Sequence, residues 1–133
     1  MKAKKTTIIV LLAAMMGLTA CQETLEERCQ REAAEYTEKN CPYAITNEVT
    51  LDSMTFDKQT HTIGYWYTLS GRSDDAALIA QSNPRELLLN EIRNSTNMKL
   101  YKEAKYNFRY VYHSKKNKGT QLFEATFRMS DYQ

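Results

Sequence analysis

The sequence predicts an α+β fold in the order α-ββ-α-ββ: a four-stranded antiparallel sheet with two helices packed on one face. Three patterns carry this expectation. Leu25, Cys29, Ala33 and Tyr36 recur at steps of 4, 4 and 3 residues, which draws one apolar stripe along a helix over residues 24–40. Ile63, Tyr65, Tyr67 and Leu69 alternate with other side chains, the period of a strand with one buried face. The same alternation returns in Tyr106, Phe108, Tyr110 and Tyr112, and again in Phe123, Ala125, Phe127 and Met129. Two helix-plus-hairpin units in series would bury one sheet face beneath both helices.

Each element has local support. The first helix carries Glu23, Glu26, Glu27 and Glu32 toward its start and Lys39 near its end, which suits the helix dipole, and Pro42 stops it just beyond Asn40. The first hairpin has arms 48–57 and 60–69 around the turn Asp57-Lys58-Gln59-Thr60. Its first arm changes parity, because Val49 and Leu51 are odd while Met54 and Phe56 are even. A bulge near Asp52-Ser53 restores the register. Residues 71–75 form a polar loop, and 75–81 read as one extra helical turn. The second helix starts with Asn83 as cap, Pro84 at the first helical position and Glu86 at capping-box spacing. Leu87, Leu88 and Ile92, with Leu89 beside them, supply its buried face, and it frays by Asn97. The second hairpin has arms 105–113 and 121–130 and turns over residues 114–119.

The N-terminus carries a different signal. Lys2, Lys4 and Lys5 precede the apolar core Ile8–Met16, and Gly17-Leu18-Thr19-Ala20 places small residues just before Cys21. The run from Ile8 to Ala20 is 13 residues, short of the roughly 20 that a transmembrane helix needs. It reads as a cleaved signal peptide. Leu18-Thr19-Ala20-Cys21 resembles the lipobox of bacterial lipoproteins. That resemblance implies cleavage before Cys21, diacylglycerylation of its sulfur and acylation of the new α-amine. One acyl chain gives only marginal, reversible membrane binding, whereas two or three anchor a protein stably. The competing reading is an ordinary cleaved signal with an incidental cysteine.

On that reading residues 1–20 are a lipoprotein signal peptide, and residues 21–133 are a single lipid-anchored α+β domain. Its size suffices for a core of its own. Three of the 18 basic residues leave with the signal, so 15 basic face 16 acidic side chains. The basic isoelectric point of the whole chain is then partly a property of the signal, and no nucleic-acid partner is expected. With Cys21 acylated, Cys29 and Cys41 remain. They are 12 residues apart on and just past one helix, which separates them by about 18 Å, whereas a disulfide needs Cα atoms within roughly 7 Å. Either the helix breaks or the two stay unbonded.

Cys41-Pro42, Thr50-Leu51-Asp52-Ser53 and Tyr65-Trp66-Tyr67-Thr68-Leu69 resemble a pattern in small uncharacterised bacterial envelope proteins. No activity comes with that resemblance. Nor does the sequence offer a nucleophile elbow, a His-Glu-x-x-His motif, paired-cysteine zinc spacing or a phosphate-cradling glycine loop, which four glycines in total would not supply. His61 and His113 fall at strand ends as solvated imidazoles. No catalytic residues, metal or cofactor are expected.

Two surface features carry functional expectations. Alternation puts Trp66 on the sheet face opposite Tyr65 and Tyr67, with Arg109 and Val111 of the second hairpin on the same side, as a candidate partner patch. The alternative is that Trp66 merely covers its own sheet. Lys115, Lys116 and Lys118 form a basic hairpin tip that would meet an anionic lipid surface, at about 1 kcal/mol per lysine, or would simply be a solvated turn. The sequence therefore predicts a lipoprotein of the bacterial cell envelope, at the outer membrane and facing periplasm or surface. It would be held in the lipid bilayer through acylated Cys21 and act as a non-enzymatic interaction or assembly module on an envelope protein partner. The alternatives are a small-ligand-binding lipoprotein, with its pocket between the helices and the tyrosine-rich strands, and an enzyme without a recognisable motif.

Overall fold

The computed structural model describes residues 22–133; the signal segment and Cys21 lie outside the described residues. The elements are α1 (Leu25–Asn40), β1 (Tyr43–Ala44), β2 (Val49–Asp57), β3 (Thr62–Leu69), a 3-10 turn (Gly71–Ser73), α2 (Ala76–Gln81), α3 (Pro84–Asn94), α4 (Lys99–Glu103), β4 (Asn107–Ser114), β5 (Gln121–Phe127) and α5 (Met129–Tyr132). The class is α+β. The expected four-stranded antiparallel sheet is corrected to a five-stranded mixed sheet in the order β1-β2-β3-β4-β5, and the two helices to five among the described residues.

Both hairpins form, but they meet through a parallel pairing of β3 with β4, in which Thr62 faces Asn107 and Leu69 faces Ser114. The physical reason lies in the connection. Parallel neighbours need a crossover that returns to the same end of the sheet, usually through helix. The stretch between β3 and β4 contains the 3-10 turn, α2, α3 and α4. The expected bulge is present: the β2–β3 register shifts between Leu51 and Ser53, leaving Asp52 as the extra residue. Its carboxylate accepts a hydrogen bond from the Thr68 hydroxyl at 2.6 Å.

A capping box starts α1. The Thr24 hydroxyl accepts from the Glu27 amide and the Glu27 carboxylate accepts from the Thr24 amide, both at 3.1 Å. Cys29 and Ala33 of its stripe are buried. Farther along, the Thr37 hydroxyl lies 2.9 Å from both the amide and the carbonyl of Met54. β1 pairs only with Thr50 and Leu51, so beyond them β2 is an edge strand, and the Thr37 side chain occupies its open hydrogen-bonding groups.

At α3 the sequence reading is partly corrected. Pro84 holds the first helical position, but Asn83 adopts a left-handed conformation (φ 52°) and makes no cap. A residue before proline is sterically barred from the right-handed helical region, and asparagine tolerates the left-handed one. Its side chain instead donates to the Glu86 carboxylate at 2.7 Å. Leu88 and Ile92 are buried as expected, whereas Leu87 is 61% exposed.

The core lies on one side of the sheet. Cys29 from α1, Leu88 and Ile92 from α3, and Tyr132 from α5 pack with Ile63, Phe108, Tyr110, Ala125 and Phe127 of the strands. Phe108 and Phe127 are wholly buried. The Tyr132 hydroxyl donates to the Tyr106 carbonyl at 2.8 Å, which ties the C-terminal turn to the start of β4.

Candidate functional site

The other face of the sheet is built by the opposite parity of the same strands. Trp66 and Val111 are register neighbours, and Val111 pairs in turn with Glu124; Gly64 and Arg109 lie one step along. The structure thus brings Trp66, Arg109 and Val111 together on that face. The Trp66 indole N–H donates to the Thr55 hydroxyl at 2.9 Å. The Arg109 guanidinium lies over the indole, 5.1 Å from its centre, and pairs with Glu124 at 2.7 Å. That partner holds the Glu124 carboxyl below the usual carboxylate range. His113 stacks against the indole at 6.3 Å. Val111 is 0% exposed. It is the floor of the patch, covered by its neighbours, and offers a partner nothing directly.

A hollow of about 470 Å³ runs beside this row. Its walls include Thr62, Gly64, Trp66, Asn107, Arg109 and Glu124. Gly64 is required there, since a Cβ on it would lie 2.5 Å from Thr55 Oγ1 and 3.0 Å from Trp66 Nε1.

The lysines occupy the β4–β5 connection, all three exposed. Backbone contacts hold the loop: the Lys115 amide donates to the Leu69 carbonyl at 3.0 Å and the Lys116 amide to the Asp74 carboxylate at 3.0 Å. Asp74 is buried, and the Lys116 amide, then the Ser114 hydroxyl, holds its carboxyl below its ordinary value. This loop follows the end of β4, while the start of α1 sits at the other end of the sheet, where Glu26 pairs with His61 at 2.6 Å. The length of β4 separates the two, roughly 23 Å at about 3.3 Å per residue. The lysines therefore lie at the end of the sheet opposite the start of α1, beginning two residues beyond the His113 that stacks on Trp66.

An apolar groove opens between α2, α3 and the ends of β2, β3 and β4, between helices and strands as the alternative sequence reading supposed, though that reading named none of its walls. It holds about 380 Å³ and is walled by Val49, Leu69, Leu78, Ile79, Leu87 and Leu88, with Tyr112 inside and Arg72 at the rim. Leu78 and Leu87 are 50% and 61% exposed. The signal for it was present in α2, whose Leu78 and Ile79 exceed what a connecting turn requires. The 3-10 turn at the rim is fixed by Glu48, which accepts from the Arg72 amide (3.2 Å), the Ser73 amide (3.1 Å) and the Ser73 hydroxyl (2.8 Å). These donors, the Ser73 hydroxyl foremost, hold the Glu48 carboxyl low.

The remaining reactive groups are dispersed. His61 precedes β3 and His113 lies near the end of β4, so the two imidazoles sit at opposite ends of the sheet. Among the described residues, no group of three or more His, Cys, Asp or Glu converges as a metal site. Cys29 and Cys41 are both free thiols, so the helix runs unbroken through the first and the pair stays unbonded. Burial pushes the Cys29 thiol up to about 11. The tyrosines of β3 and β4 stack across the parallel register, Tyr65 on Tyr110 at 4.8 Å and Tyr67 on Tyr112 at 4.7 Å. Burial raises all four phenols, Tyr112 to about 12.

Comparison with known proteins defines the class first: residues 24–123 match the model of a domain of unknown function, DUF8479, and the chain belongs to that family. Its fold is similar to that of a crystal structure described as a "putative secreted protein" from Pseudomonas aeruginosa. The two share 9% identity over 84% of this chain and 100% of that one, with a TM-score of 0.64. At that identity the likeness is one of fold. No curated protein matches the chain. No helix among the described residues is long and apolar enough to cross a membrane.

Proposed function

We propose that this protein is a lipid-anchored lipoprotein of the bacterial cell envelope, at the outer membrane, that acts as a non-enzymatic interaction module. An envelope protein would dock on its uncovered sheet face. The observation that carries the reading is the placement of Trp66 and Arg109 on the face opposite every helix in the core. Tryptophan and arginine are among the residues most enriched at binding hot spots, and here they sit side by side on a β-sheet that holds them rigidly. Anchoring rests on the lipobox resemblance at Leu18–Cys21, and the fold it shares with a protein described as secreted supports an extracytoplasmic site.

Two measurements test it. Metabolic labelling with an acyl-chain probe should tag the wild-type chain and leave Cys21→Ser unlabelled; equal labelling of both would refute the anchor. Affinity purification of the lipidated protein should recover a stoichiometric protein partner that Trp66→Ala or Arg109→Ala loses. A partner retained by both variants would place the docking surface elsewhere.

A lysine contact with anionic lipid is a weaker component of this reading. The separation of Lys115, Lys116 and Lys118 from the start of α1 means that they reach the bilayer only if the domain lies along it. Replacing all three should then reduce binding to anionic vesicles, and unchanged binding would remove the contact.

A further inference from the structure

The apolar groove is a second site, independent of the sheet face. Its walls are almost wholly aliphatic: Val49 and Leu69 from the strands, Leu78 and Ile79 from α2, and Leu87 and Leu88 from α3, with Tyr112 as the lone aromatic. Its volume, about 380 Å³, falls within the roughly 300–1,000 Å³ of small-molecule pockets. Leu78 and Leu87 stand half or more exposed on its two helical walls, so water meets apolar surface there unless something fills the space between them.

The polar groups at the rim are unequally committed. The Ser73 hydroxyl donates to Glu48 and the Ser82 hydroxyl to the Ile79 carbonyl. Glu48 is itself held by three donors from the 3-10 turn. The Arg72 guanidinium is exposed and, among the described residues, enters no ion pair. Its planar fork of N–H donors matches a carboxylate in two-point geometry. An aliphatic trough edged by a guanidinium that makes no direct ion pair, though its charge is already felt by the Glu48 carboxylate, is complementary to a molecule with a single hydrocarbon chain and one anionic head. A planar aromatic ligand would find only Tyr112 to stack on.

We propose that this groove binds one free, single-chain acyl carboxylate, with the chain between α2 and α3 and the head at Arg72. The capacity for one chain favours a free fatty acid over a two-chain bilayer lipid, and the concave shape favours it over a second copy of this protein.

Calorimetric titration of the purified chain tests this with decanoate and dodecanoate below their micellar concentrations and dodecanol below its solubility limit. Dodecanoate should bind with a stoichiometry of one. Affinity should rise about fourfold per methylene until the groove is full, as apolar burial requires. Arg72→Gln should weaken dodecanoate roughly threefold to tenfold and leave dodecanol unchanged. Leu87→Asp, at an exposed position that leaves folding intact by circular dichroism, should abolish both. Whatever precedes residue 22 in the purified protein, acylated Cys21 included, is the same in all three proteins, so binding that persists equally in Leu87→Asp and Arg72→Gln would assign it to that part and overturn the proposal. So would the absence of any binding to wild type. A dimer that Leu87→Asp disrupts, or a groove-dependent preference for anionic phospholipid vesicles over free dodecanoate, would also overturn it by naming another occupant.

Discussion

Trp66 donates its indole N–H to the Thr55 hydroxyl at 2.9 Å, directly over Gly64. The missing side chain of Gly64 is what permits this. A Cβ there would stand 2.5 Å from the Thr55 oxygen, a distance that neither the short threonine side chain nor the strand beneath it can absorb without moving. The orientation of the one tryptophan on the uncovered face is therefore set by an absent methyl group on the same strand.

Gly64→Ala should break the Trp66–Thr55 hydrogen bond and destabilise the fold by about 1–3 kcal/mol, the range for overpacking with a lost polar contact. Urea unfolding reads the loss, and a shift of tryptophan emission in the folded variant reads the displaced ring. Unaltered emission would mean that the ring is held by Arg109 and His113 without Thr55.

Thr37→Val keeps shape and removes a hydroxyl that serves both the amide and the carbonyl of Met54. Leaving two partly buried edge groups without that partner should cost about 1–3 kcal/mol. Hydrogen exchange at the Met54 amide should accelerate more than at Tyr65, its neighbour across the ladder. Unchanged stability and exchange would show that solvent satisfies this edge as well as the helix does.

Stability should fall at both extremes of pH. Glu32, held low by the Tyr101 hydroxyl, and Glu48 and Asp74, held low by amides and hydroxyls, bind fewer protons folded than unfolded in acid. Their contribution is present above their unfolded pKa values and is lost as pH drops below about 4.5 and through the depressed folded values. Cys29 and Tyr112 are raised, to about 11 and about 12, so the unfolded chain releases those protons first. Their contribution is complete below the unfolded values and is lost as pH rises through the folded ones. Thermal midpoints across the pH range check both limbs, and a flat alkaline limb would contradict the burial of the tyrosine row.

The two thiols should separate kinetically. Cys29 is buried on the core side of α1 and its thiolate is suppressed, while Cys41 is only partly covered. Since the thiolate is the reactive form, an alkylating reagent should modify Cys41 first and reach Cys29 only on unfolding. Equal rates in the folded protein would show that α1 opens locally.

Much of the fold was legible where a repeating pattern meets one buried face. The stripe Leu25-Cys29-Ala33-Tyr36, the alternation through Tyr65 and Tyr110, and the parity change that locates the bulge at Asp52 are local consequences of period, and they survive in the structure. The partnership of β3 with β4 is not local. Period says which face Tyr67 and Tyr112 share but not whether their strands run the same way; the helix-bearing crossover was the available clue. At Asn83 a cap signal and a pre-proline restriction fall on one residue, and the restriction wins. Thr24-x-x-Glu27 carries the capping-box spacing in the sequence itself. On the open face, parity placed Trp66, Arg109 and Val111 together, but only packing reveals that Val111 is floor and that Arg109 is already paired with Glu124. The groove depends on how α2 and α3 sit over three strand ends, which no single segment encodes.

The working surface proposed for this protein is an uncovered sheet face, and its sole tryptophan reports on it directly. Acrylamide quenching of Trp66 fluorescence in the isolated protein should show a solvent-accessible, red-shifted emission. A blue-shifted emission that resists the quencher would mean that another segment or a second copy already covers the face, and would contradict its role as a docking site.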